Sequence, residues 1–60
     1  MRSADVIRML EDDGWQEVKA AVLNLSIFQH AVKLGQVMVP HPMALPAGTV
    51  QSILKAASLA

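Results

Sequence analysis

Gly14, Gly35 and the triplet Pro40-His41-Pro42 cut this chain into short pieces, none long enough to form a domain alone. Gly14 follows an apolar stripe at helical spacing, Val6, Ile7, Met9 and Leu10, and is the residue expected just past a helix end. Ser3 is placed to cap the helix and Asp5 to meet its dipole, which predicts a first helix over Ala4–Asp13. Glu11, Asp12 and Asp13 oppose the dipole at the other end, so that helix is expected to fray near Asp13. Gly35, two residues after Lys33, marks a turn. Neither proline of the triplet can donate to a ladder, so any strand entering it must stop there.

Between these breaks the pattern is that of strands. Trp15 to Ala21 alternates, with Gln16, Val18 and Ala20 on one side and Trp15, Glu17 and Lys19 on the other. Leu25 to His30 predicts a second strand, joined through Val22–Asn24, and Gln36 to Val39 a third. Connections this short make the three an antiparallel meander. Met43 to Gly48 reads as a loop, and a second helix begins near Ala47–Thr49. Its face is Val50, Ile53, Leu54 and Ala57, at i, i+3, i+4 and i+7, with Gln51, Ser52 and Lys55 toward water. The expected architecture is α+β, one domain over residues 1–60 in the order α-β-β-β-α. Two helices cover one face of a three-stranded antiparallel sheet and leave the other face open.

The hydrophobic fraction is 53% of 60 residues, above the roughly 45–50% of ordinary globular domains. A chain this small has proportionally more surface and should be less apolar. Some of the excess is therefore expected outside the core, at an interface. Formal net charge is zero, and Arg2, Arg8, Lys19, Lys33 and Lys55 are scattered, which leaves no electrostatic footprint for phosphate. Without cysteine, disulfides and thiolate metal sites are excluded, and no cofactor is expected. The start, Met1-Arg2-Ser3-Ala4-Asp5, carries an acid where a signal peptide has its apolar core. No apolar run approaches the roughly 18 residues that a membrane span takes, so the expectation is a soluble cytoplasmic protein.

The residues Val6-Ile7-Arg8-Met9-Leu10-Glu11-Asp12-Asp13-Gly14-Trp15, preceded by Ser3, resemble the first-helix signature of the HicA toxins. Phe28-Gln29-His30, then Gly35-Gln36-Val37-Met38-Val39-Pro40-His41-Pro42, resemble the family's second strand end and the V-P-H-P exit of its third. Leu45-Pro46-Ala47-Gly48-Thr49-Val50-Gln51-Ser52-Ile53-Leu54-Lys55-Ala56-Ala57 is similar to its L-P-x-G-T-x-x-S-I-L-K-x-A segment. The resemblance covers most of the chain. It implies a fold like that of double-stranded-RNA-binding domains, mRNA interferase activity and a HicB antitoxin as partner. One segment departs. Where the family carries G-S-H-H-x-F with its catalytic histidine, this chain has Val22-Leu23-Asn24-Leu25-Ser26-Ile27 before Phe28, with no histidine and one extra residue. The catalytic role is carried over to no position. Basic and catalytic places have become aliphatic while core and turn places are kept, the direction of change that making an interface would take. Redesign of a stable small scaffold for binding would take the same direction.

With Phe28 toward the helices, alternation sends Ser26 and His30 the same way and Leu25, Ile27 and Gln29 to the open face. Inward Val37 and Val39 leave Met38 outward. The protein-binding residues expected are Leu23, Leu25, Ile27, Val32, Leu34, Met38 and Met43, with His30 at the edge. Periodicity equally admits a register in which Leu23, Leu25 and Ile27 are core and Phe28 is partly exposed. Burying four or five aliphatic side chains contributes on the order of 6–15 kcal/mol, before association costs of at least ~4 kcal/mol. The partner is another protein or a second copy, with HicB-like antitoxin and RNA as alternatives.

His30 and His41 are the weak catalytic candidates for endoribonuclease chemistry, which needs a general base and an acid. His41, between prolines, is expected to bond locally. No carboxylate stands at ligand spacing from either imidazole, so no metal site is expected. Asp12 and Asp13 diverge by about 100° on a helix and are expected to be solvated. Gly48-Thr49 could place a phosphate on free amides, although helix initiation is the simpler role. The expected function is a non-catalytic protein-binding module on a HicA-like scaffold; the alternative is a HicA-type interferase cleaving single-stranded RNA and neutralised by antitoxin.

Overall fold

The computed structural model describes residues 1–19 and 24–60, Lys19 in its backbone only. The order is α1 (Ser3–Asp12), β1 (Trp15–Lys19), β2 (Leu25–His30), β3 (Gln36–Pro40) and α2 (Ala47–Ala56). The strands form one antiparallel sheet in the order β1-β2-β3.

Both helices bury one stripe against one side of that sheet. Val6 and Leu10 from α1, and Val50 and Ile53 from α2, join Trp15, Phe28, Val37, Val39, Leu45 and Ala57 in a single core. Phe28 is 1% exposed, which removes the register that would have put Leu25 and Ile27 in its place. Alternation does the rest: Ser26 and Phe28 are buried while Leu25 and Ile27 are half-buried, and Val37 and Val39 are buried while Met38 is exposed. The helices and the inner sheet face thus share the core, and the other face is open.

Three local expectations are corrected. Ser3 is not the N-cap; α1 starts on Ser3 itself, and Arg2 holds the cap position without a side-chain bond. The Ser3 hydroxyl is drawn inward, where it accepts from the Met43 N–H at 3.0 Å and lies 2.7 Å from His41 Nδ1. β3 runs through Pro40, which pairs with Leu25, because a terminal strand residue can do without its N–H. In β1 the regular alternation stops between Glu17 and Lys19, where the register shifts. An extra residue in one strand of a pair has this effect, and Val18 is left 51% exposed.

Gly14 does what its position implied. The Asp13 and Gly14 amides close α1 on the carbonyls of Leu10 and Glu11, and the chain leaves through Gly14 at φ +99°. A Cβ there would stand 2.9 Å from His30 Nε2, so the turn needs glycine both for its dihedral and for the ring beside it. Gly14→Ala should therefore lower unfolding free energy by roughly 1–3 kcal/mol, read as a lower midpoint in urea denaturation with an unchanged slope.

Candidate functional site

The open face is assembled by register. Gln16, Gln29 and Gln36 face one another across the three strands; beside them Ile27 lies opposite Met38, and Leu25 opposite Pro40. A row of neutral amides thus borders two apolar rows, and the register also sets Lys19 opposite Ile27. Gln16, Val18, Gln29, His30 and Ala31 border a shallow depression of about 310 Å³ at its β1 side.

The expected contact residues do not form one patch. Leu25 and Ile27 lie on the open face, half-buried by their neighbours, and Met38 stands beside them, 58% exposed. Val32 and Leu34 lie beyond one end of β2, in the loop before β3. Met43 is at the other end, against the start of α1, where its carbonyl accepts from the Ser3 N–H at 2.9 Å. The six residues of β2 separate these ends by ~20 Å. Leu23 lies outside the described residues.

His30 borders the depression at the β1 side, as its expected edge position implies, while its ring packs toward the core. It turns inward, edge-to-face on Trp15 with ring centroids 5.3 Å apart. Its Nδ1 accepts from the Val32 and Lys33 amides at 3.0 and 3.1 Å. That fixes the ring proton on Nε2, which donates to the Asp13 carbonyl at 2.6 Å. Neither nitrogen is left to take a proton from a substrate.

Asp13 is not simply solvated, because the β2–β3 loop folds over it. The Lys33 ammonium donates to its carboxylate at 2.5 Å and to the Ala57 carbonyl at 3.0 Å. The hydrogen bond from Lys33 is the main cause that holds the Asp13 carboxyl below its ordinary value of 3.8, with the charge of Lys33 adding to it. The His30 and Asp13 side chains approach to 3.9 Å. Among the described residues no group of three or more potential ligands could hold a metal ion.

His41 pairs with Ser3, 38 residues away, rather than locally. The arrangement that uses every proton has Ser3 donating to His41 Nδ1, so His41 carries its own proton on Nε2. Arg2, Ser3, Ala4, His41, Pro42, Met43 and Ala44 line a cleft of about 410 Å³ there. Spacing alone signalled neither the Ser3–His41 pair nor the Asp13–Lys33 pair.

Element order, sheet pairing and core together define a small α+β domain of two helices on one antiparallel sheet. A family model described as HicA toxin of bacterial toxin-antitoxin matches residues 3–59, and the chain belongs to the HicA toxin family. Among curated proteins no sequence matches it. No helix among the described residues is long and apolar enough to cross a membrane.

The Asp13 shift has a definite sign. A carboxyl whose folded value lies below 3.8 adds stability above its unfolded value and loses it as pH falls through the folded one. Denaturation midpoints should therefore fall on acidification below about pH 4, and fall less steeply in Asp13→Asn.

Proposed function

We propose that this chain is the toxin-side member of a toxin–antitoxin pair that works by binding protein, through its open sheet face, without histidine catalysis. The partner is a HicB-like antitoxin. The observation that carries this reading is the open face itself. It offers Leu25, Ile27 and Met38 with a border of glutamines, and among the described residues its register carries one cationic position, Lys19 opposite Ile27, where phosphate binding takes several. RNA binding draws most of its affinity from such cations, whereas protein interfaces have apolar centres depleted of charge. The inward anchoring of His30 supports the same view. So does the aliphatic segment before Phe28, where the family's histidines would be expected.

One observation favours a second reading, cleavage of single-stranded RNA. His41 lines the cleft at the start of α1 together with Arg2, a donor and a cation on one surface. The imidazole would protonate a leaving oxygen and Arg2 would hold a phosphate.

Two measurements separate these readings. Leu25→Glu or Ile27→Glu should abolish binding of a purified HicB-type antitoxin while circular dichroism stays that of the parent. Unfolding by either substitution would show that these side chains support the fold rather than a partner. Single-stranded RNA incubated with the purified chain should remain intact. Cleavage that persists in chelator and disappears in a folded His41→Ala variant would establish the interferase reading instead.

A further inference from the structure

The β2–β3 loop begins on a titratable ring. His30 Nδ1 accepts from the Val32 and Lys33 amides at 3.0 and 3.1 Å, and its Nε2–H donates to the Asp13 carbonyl at 2.6 Å. A neutral imidazole fits this set, with one lone pair for the loop and one N–H for the end of α1. The imidazolium does not. It carries an N–H at both positions, so even turning the ring over presents a donor to the two amides. Nδ1 can therefore take a proton only by giving up both of them. The other contact survives. Charge strengthens the bond to the Asp13 carbonyl, and the Asp13 carboxylate, 3.9 Å from Nε2, attracts the charged ring. The Lys33 bond holds that carboxyl below its ordinary value, so it is still ionised where an imidazole changes charge. Solvent reaches the ring from the depression it borders, and the His30 side chain is 12% exposed.

We infer that His30 is a proton-operated latch on the β2–β3 loop: neutral, it holds the Val32 and Lys33 backbone, and protonated on Nδ1 it stays seated on Asp13 and lets that backbone go. The step moves one proton from solvent to Nδ1, breaks two N–H···N bonds and passes both amides to water. The charged groups around the ring oppose one another. The end of α1 brings the Asp13 carboxylate, which favours the charged ring. The loop brings the Lys33 ammonium, which opposes it and is bonded to the same carboxylate at 2.5 Å. From β1 comes Trp15, uncharged and edge-to-face on the ring, while Glu17 pairs with Phe28 instead. Strand β3 has no charged residue, and α2 has Lys55 in its last turn, exposed. With acid and base opposed, the two lost amide bonds decide what protonation does to the loop. Release is local, because the Lys33 ammonium also holds the Ala57 carbonyl at 3.0 Å. The latch works whatever the open sheet face binds, so it stands apart from the reading above.

The test takes the isotope-labelled full chain from about pH 8 to about pH 5 in NMR. It reads the ring nitrogen shifts of each histidine beside hydrogen exchange at single amides, corrected for the exchange of an unstructured chain at the same pH. At the alkaline end His30 should carry its proton on Nε2. As His30 titrates, protection at the Val32 and Lys33 amides should fall about tenfold with the midpoint of the ring itself, while the Leu10 and Ile53 amides inside the helices keep theirs. His30→Asn leaves an acceptor oxygen near the place of Nδ1, able to take amides two and three residues on, and it does not titrate. Its Val32 and Lys33 amides should be equally protected at both ends of the range, and those of His30→Ala unprotected at both. If a variant unfolds, the parent titration decides alone. A proton on Nδ1 at the alkaline end overturns the latch, as does protection that ignores the His30 titration or follows His41 instead. Loss of protection shared by Leu10 and Ile53 is unfolding of the whole domain and overturns it too, and so does a folded His30→Asn that keeps the pH dependence of the parent.

Discussion

One ammonium group holds an end of this molecule together. Lys33 Nζ bonds the Asp13 carboxylate and the Ala57 carbonyl, and those residues terminate α1 and α2. A helix C-terminus carries roughly half a negative charge, and α1 adds Glu11, Asp12 and Asp13 to its own. A cation between the two ends answers both fields. Its place depends on the loop that bears it, the loop depends on His30 receiving two amides, and the ring has room because residue 14 is glycine. Gly14, Asp13, His30 and Lys33 act as one unit although they come from three separate stretches of chain.

The sheet divides its side chains by a simpler rule. With Phe28 fixed in the core, every second residue of β2 must point away from the helices. Antiparallel pairing then carries that choice to Met38 and to the glutamine row. Two ten-residue helices cover one side and no described element covers the other.

What could be read from sequence follows the range of the interaction. Gly14, Gly35 and the prolines act on their own dihedrals, so the element order and most boundaries were legible. The period of two in β2 was legible once Phe28 was assigned to the core. Pairs made by folding were not. Ser3 looked like a cap because serine caps helices, but its hydroxyl found His41 and Met43 across the chain. Asp13 looked solvated because only its helix neighbours were visible, and the loop that brings Lys33 over it is 20 residues away. Alternation told Leu25 and Met38 from the core without giving distance along the strand, so Met43 and Leu34 were grouped although they lie at opposite ends of the sheet.

The register shift in β1 has a consequence of another kind. A three-stranded sheet has two outer edges, and a regular edge can template strand after strand from neighbouring molecules into a fibre. Here the ladder of β1 is broken between Glu17 and Lys19, and β3 closes on Pro40, which has no N–H to offer. The uncovered sheet face is thus bordered on both sides by edges that are interrupted for a further strand.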